Sequence, residues 1–205
     1  MKINKFINGP FSVNTYLIES GGNALIIDPG HDISKMIEYI LIHKLNVSHI
    51  LITHGHIDHI AGVNTVRKYF PDAVSMMNPA DDNLVRIADN QSRLFGLPVS
   101  GPIIINEYLP DAGSIKTGFF EAEIFLVPGH SPGSLCFKFE NYLFTGDTLF
   151  YGSVGRSDLF DGDHNLLIKS IREKLFMLDK DTSIYPGHGN ASTIGFEIMH
   201  NPFFN

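Results

Sequence analysis

Apolar positions in the first 28 residues come in short runs cut by Gly, Pro and Asn. Residues 2–8, 13–19 and 24–28 are three such runs, and each reads as a strand. The period then changes. Ile33, Met36, Ile37, Ile40 and Leu41 recur at helical spacing, which predicts a helix over 34–44, with Asp32 or Ser34 available as its cap. Residues 49–53 form a continuous apolar strand, 61–70 a second helix stopped by Pro71, and 73–77 another strand. Residues 79–96 place Leu84, Val85, Ile87, Ala88 and Leu94 in a helical pattern. The stretch from 96 to 110 is irregular, with Pro98, Gly101 and Pro102. It reads as a surface connection in preference to a flap beside a site. Strands return at 119–127, 134–139 and 142–145. An amphipathic helix over 166–178, a strand at 183–185 and a helix at 194–199 follow. Each half of the chain therefore runs through several strands and a helix to a strand ending in a histidine-containing loop. That pattern suggests two packed sheets with helices outside.

Length and composition narrow the class. With 205 residues, 43% hydrophobic and 18% charged, the chain can bury a real core as one domain. Acids outnumber bases 22 to 15, for a formal charge of −7, and no Lys/Arg cluster appears. Nucleic acid is therefore not an expected partner. One cysteine, Cys136, excludes an internal disulfide; its apolar neighbours make it a buried, inert thiol. Asn8-Gly9-Pro10 interrupts any signal-peptide run, and no stretch of about 18 apolar residues occurs. A cytoplasmic chain with no membrane partner is expected. The unusual count is histidine, 10 residues, and five of them fall in patterned positions.

The densest pattern is Thr53-His54-Gly55-His56-Ile57-Asp58-His59, directly after an apolar strand and before a helix. Extended backbone at His54 and His56 sends both side chains the same way, whereas Asp58 and His59 fall where the chain turns helical. Four ligand-type side chains in six residues can therefore serve two metals, and imidazole with carboxylate suits zinc, iron or manganese. Three more candidates, His130, Asp147 and His188, each follow a predicted strand and are each preceded by glycine, which permits close backbone approach. Strand ends gathered on one edge would bring all seven together.

These motifs resemble the metallo-β-lactamase superfamily, whose signature is His-x-His-x-Asp-His followed by distant His, Asp and His. The likeness is greatest to short bacterial proteins similar to glyoxalase II. It extends over Val13-Asn14-Thr15-Tyr16-Leu17, Asp28-Pro29-Gly30, the 53–59 motif, 129–134, 145–150, Gly155-Arg156-Ser157-Asp158, 185–189 and the closing Thr193-Ile194-Gly195-Phe196-Glu197 with Asn201-Pro202. The resemblance implies an αββα sandwich of two mixed sheets flanked by helices. It implies one domain over 1–205, lacking the extra C-terminal helical domain with which glyoxalase II contacts glutathione. His54, His56 and His130 would hold one divalent metal, Asp58, His59 and His188 a second, and Asp147 would bridge them, with zinc first and iron or manganese as alternatives. Histidine at position 56, in place of the glutamate of the oxygen-reducing diiron branch, favours a hydrolase.

The implied activity is hydrolysis of a small-molecule thioester, S-(2-hydroxyacyl)glutathione, by a metal-activated water. Asp58, with His54, His56 and His59, would do the catalytic work. The alternatives are a mononuclear iron persulfide dioxygenase, or another hydrolase of the superfamily such as a lactonase. Asp28 reads equally as support behind the site or as a turn former. Arg156 and Asp158 read as a structural ion pair, and Tyr151 as a pocket residue. His31, His43, His49, His164 and His200 match no ligand pattern.

Overall fold

The computed structural model describes residues 1–99, 101–159 and 161–204. The opening strands β1 (Lys2–Asn8), β2 (Val13–Ser20) and β3 (Asn23–Ile27) pair antiparallel as a meander. The chain crosses through α1 (Ser34–Ile42) to β4 (Asn46–Leu51). It crosses again through α2 (Ile57–Ile60) and α3 (Val63–Tyr69) to β5 (Val74–Met77), with β3, β4 and β5 parallel. A 3-10 turn (Pro79–Asp81), α4 (Asp82–Arg86) and α5 (Ala88–Phe95) lead to β6 (Glu107–Tyr108), which completes a sheet of order β1-β2-β3-β4-β5-β6.

The second sheet opens with β7 (Ala112–Lys116), β8 (Glu121–Leu126), β9 (Leu135–Phe139) and β10 (Tyr142–Gly146), all antiparallel to their neighbours. A small hairpin, β11 (Leu149–Phe150) and β12 (Ser153–Val154), precedes α6 (His164–Ser170) and a π-type turn over Ile171–Leu175. The chain returns through β13 (Ser183–Pro186), parallel to β10, then β14 (Ser192–Thr193) and α7 (Ile194–His200). The order of this sheet is β14-β13-β10-β9-β8-β7.

The period of two along each strand builds the layers. In β3, Ala24 and Ile26 join Met36, Ile37 and Ile40 of α1 and Val63 and Val66 of α3 in one core. Their neighbours Leu25 and Ile27 turn the other way, into the core between the sheets. Leu135, Phe137 and Phe139 of β9 meet them there from the second sheet. Cys136, on the opposite face of β9, packs with Leu167, Ile171 and Ile194 on the outer helices. Burial pushes its thiol up to about 12, so it is inert, as its neighbours in sequence predict. The result is the expected αββα sandwich. No helix among the described residues is long and apolar enough to cross a membrane.

Several boundaries differ from the sequence reading. The helix expected over 79–96 is three pieces. It breaks at Ile87, where the Gln91 side chain takes over a main-chain role and donates to Leu84 O at 2.8 Å. Strand β4 begins at Asn46 opposite Asn23 and ends at Leu51, with Ile52 N–H still donating to Met76 O of β5 at 2.9 Å. The irregular stretch 96–110 is more than a surface connection: Leu97 and Ile103 are buried, and Glu107–Tyr108 pairs with β5.

Candidate metal centre

The strands aim the chemistry. β8 and β10 are both antiparallel to β9, and β13 is parallel to β10, so His130, Asp147 and His188 all emerge at one edge of the second sheet. The first sheet is stitched to that edge. Leu135 N–H donates to Thr53 O at 2.8 Å, and Asn14 N–H donates to Gly187 O at 2.7 Å. The 53–59 segment is thereby laid against the other three candidates. His56 is extended (ψ 143°) and opens the four-residue helix α2, which carries Asp58 and His59 around to a different side.

All seven sequence candidates meet. One ligand atom from each of His54, His56 and His130 lies within 4.8 Å of the others, and the same holds for Asp58, His59 and His188. Asp147 stands between the two groups. Its Oδ1 is 3.3 Å from His59 Nε2, and its Oδ2 is 3.4 Å from His188 Nε2 and 3.9 Å from His130 Nε2. The preceding glycine is required at position 187, where a Cβ would sit 2.3 Å from Asp147 Oδ1 and 2.6 Å from His59 Cε1.

Hydrogen bonds on the far side of the rings set which nitrogen faces inward. His130 Nδ1 donates to Arg156 O at 2.7 Å, and His188 Nδ1 donates to Phe11 O at 3.0 Å. His59 Nδ1 donates to Asp28 Oδ2 at 3.0 Å. His54 Nδ1 donates at 3.0 Å to Thr53 Oγ1, which itself donates to Asp28 Oδ2 at 2.6 Å. With the proton held at Nδ1, each ring in its neutral form turns its Nε2 lone pair toward the centre. His56 approaches through the other nitrogen, Nδ1, 2.8 Å from His130 Nε2. Asp28, His54 and His59 also form a third close group. Asp28 spends both oxygens on Thr53 N–H, Thr53 Oγ1 and His59, so it supports the ligands from behind. It forms its turn as well, with φ +50° and its carbonyl accepting from Thr15 Oγ1 at 2.6 Å.

The electrostatics divide the centre. Burial, with the neighbouring imidazoles, pulls His54 well below its ordinary value and His56 down to about 3. Burial also works against charge on His59 and His188, but Asp147 and Asp58 outweigh it: His59 is raised well above its ordinary value and His188 to about 9. Burial opposes ionisation of Asp147 and Asp58, yet His59 and His188 hold both below the usual carboxylate range. His54 Nε2 is buried with no hydrogen-bond partner among the described residues, although its ring has already donated its Nδ1 proton. A buried lone pair left open inside a three-imidazole cluster is what a cation would satisfy. The residues therefore fit a divalent metal pair. Among the described residues, the five histidines without a ligand pattern join none of these groups.

A cavity of about 280 Å³ opens over the cluster. Phe11, Ile57, Phe95, Leu97 and Leu159 give it an apolar wall, and outside the two clusters Arg156 is its one cationic lining residue among those described. Arg156 is bidentate to Asp158 at 2.8 and 2.9 Å, as its spacing predicts, and its carbonyl also orients His130. Tyr151 is not a pocket residue. It is 54% exposed and stacks on Phe196 at 4.8 Å, outside the cavity. Sequence reasoning missed Phe11, Phe95 and the buried Asp81; none lies in a ligand-like pattern, and only the tertiary fold brings them near the cluster.

Comparisons with known proteins agree with this geometry. The profile of the metallo-beta-lactamase superfamily matches residues 8–188. Hydroxyacylglutathione hydrolase GloC of Haemophilus influenzae is 38% identical over 199 residues, covering 95% of this chain and 94% of that one. The crystal structure of BLEG-1 B3 metallo-beta-lactamase superposes with a TM-score of 0.92 at 36% identity, over 99% of both chains. That of TTHA1623 in a di-iron-bound form superposes with a TM-score of 0.89 at 34% identity, over 98% of this chain and 99% of that one.

Proposed function

The chain belongs to the metallo-beta-lactamase superfamily and carries His/Asp clusters suited to a binuclear metal site, and on that premise we propose that it hydrolyses thioesters of the S-(2-hydroxyacyl)glutathione class. The observation that carries the reading is the place of Asp147, one carboxylate within 3.9 Å of ligand nitrogens from both clusters. His54, His56 and His130 would hold one ion and Asp58, His59 and His188 the other, with Asp147 within reach of both clusters. Zinc leads as the metal, and the di-iron form of TTHA1623 makes iron the alternative. When bound, such a pair supplies Lewis acidity and a water acidified toward neutral pH.

The chain's own groups then decide the substrate. Asp58 is ionised and partly open to the cavity, with Oδ2 3.4 Å from His188 Nε2, so it can orient a water toward a carbonyl carbon. Among the described lining residues, the polar groups outside the clusters reduce to Arg156, and a guanidinium does not give up a proton. A leaving group that departs as an anion is therefore favoured. A thiolate, with a solution pKa of about 8.5, needs no general acid, whereas an amine does. GloC, named as a hydroxyacylglutathione hydrolase, supports this choice of substrate.

The test is turnover of S-D-lactoylglutathione by metal-loaded protein, beside a β-lactam and a lactone. The reading predicts thioester hydrolysis that stops on chelation and returns with metal. Turnover of the lactam or lactone without the thioester would contradict it. So would oxygen uptake on glutathione persulfide with a single iron.

A further inference from the structure

Asp81 closes the 3-10 turn Pro79–Asp81 and is fully buried. Its Oδ2 accepts Gly55 N–H at 2.8 Å and Ser131 Oγ–H at 2.7 Å, and its Oδ1 accepts Gly133 N–H at 2.6 Å. These donors come from two turns far apart in sequence. Gly55 separates His54 from His56, and Ser131 directly follows His130. One carboxylate thus spans the two segments that carry the three-histidine cluster.

The surroundings are built for this contact. A Cβ on Gly133 would lie 2.8 Å from Asp81 Cγ. A Cβ on Gly55 would lie 2.7 Å from Leu84 Cβ and 3.1 Å from Asp81 O. Any larger residue at either position would push the turn away from the carboxylate. The Ser131 turn is stiff in itself, since Ser131 N–H donates to Ser134 Oγ at 3.1 Å. The 55–57 segment is gripped from its other side by Gln91, which donates to Gly55 O at 3.2 Å and accepts from Ile57 N–H at 3.1 Å. Burying an ion is costly unless it is fully hydrogen-bonded, and a neutral hydrophobic plug would be cheaper as mere packing. Asparagine would not substitute, because both sides present donors and its amide would set one N–H against another.

We propose that Asp81 is a positioning residue: it fixes the separation between the His54/His56 turn and the His130 turn, and so sets the affinity and geometry of the three-histidine metal site. The inference rests on the metal reading of the centre. It assigns Asp81 no contact with substrate or metal.

Cobalt(II) titration tests it, with uptake of each ion followed by its visible absorption and by metal content, alongside the thermal midpoint of the metal-free protein. In Asp81→Asn, the ion at the three-histidine cluster should bind about 10–100-fold more weakly, the range expected for loss of a group that orients ligands. Its absorption band should shift, while the ion at Asp58, His59 and His188 keeps its affinity within about twofold. Ser131→Ala removes a single donor; it should weaken the same ion selectively by about fivefold, matching one lost hydrogen bond. Should Asp81→Asn fail to fold, Ser131→Ala carries the comparison. Equal weakening of both ions, or unchanged binding beside a lowered thermal midpoint, would mean a structural role only and overturn the inference. Wild-type protein that takes up no cobalt would instead overturn the metal reading beneath it.

Discussion

Asp28, in the turn after β3, and His59, in α2, are 31 residues apart, yet Asp28 Oδ2 sits 3.0 Å from His59 Nδ1 with both side chains buried. The same oxygen receives the Thr53 hydroxyl, whose oxygen in turn accepts from His54. One carboxylate therefore holds the proton on Nδ1 of two rings and leaves both Nε2 atoms for metal. Asp28→Asn should keep the fold but lower metal affinity about 10–100-fold, because Thr53 N–H faces the other oxygen and an amide in either orientation sets its NH2 against a donor. Competition with a chelator reads this directly; unchanged affinity would show that the tautomers are set elsewhere.

Asp147 is the carboxylate shared by the two clusters. Asp147→Ala should lose at least one equivalent of metal and reduce kcat by about a thousandfold or more, the size of effect expected when a principal electrostatic group is removed. His43, an exposed ring packed on Tyr39 at 4.2 Å, provides the control: His43→Ala should bind and turn over like wild type. Full occupancy in the Asp147 variant would refute its place in the centre.

Acid should empty the two clusters in order. Metal requires neutral imidazole. In the metal-free protein His188 is raised to about 9, so below that pH an incoming ion must expel its proton, and affinity falls about tenfold per pH unit for each proton released. His56, lowered to about 3, is already neutral at pH 7 and imposes no such penalty. In the metal-free fold the two rings act in opposite senses. The raised His188 stabilises the metal-free fold below about pH 6.5, and that contribution is lost as pH rises through about 9. The lowered His56 contributes above about pH 6.5, and that contribution is lost as pH falls toward 3. Calorimetric titration at pH 7 in buffers of different ionisation enthalpy should show proton release on filling Asp58/His59/His188. Dialysis near pH 6 should leave the three-histidine ion in place longer. Simultaneous loss of both ions with no proton release would contradict this order.

Glutathione should be a poor handle. The cavity wall is largely apolar, and Arg156, its one described cation outside the clusters, is already committed to Asp158. S-D-lactoylglutathione should be hydrolysed with a high KM, free glutathione should inhibit little, and thioesters of other thiols should be accepted. Steady-state comparison with coenzyme A and alkyl thioesters checks this. A low KM confined to glutathione thioesters would mean that the 78–110 region offers a binding surface.

The candidate ligand set was legible because its positions carry rare residue types at fixed spacings after apolar strands, and strand direction alone then gathers them. His54, His56, Asp58, His59, His130, Asp147 and His188 needed no tertiary knowledge to find. What stayed hidden depends on the fold. Phe11 and Arg156 act on His188 and His130 through main-chain carbonyls, which any residue type can supply. Asp81 sits in an ordinary Pro-Ala-Asp turn, and only the fold reveals that three donors converge on it. The two-residue strands β6, β11, β12 and β14 are too short to show a period of two. The break at Ile87 depends on a side chain, Gln91, acting in place of a main-chain donor.

The proposed centre requires this chain to hold two metal ions at the seven His and Asp side chains of the two clusters. An anomalous-difference map from crystals of the metal-loaded protein tests it most directly. The account predicts two peaks per chain, one among His54, His56 and His130 and one among Asp58, His59 and His188, with Asp147 between them. A single peak, or peaks away from these side chains, would contradict it.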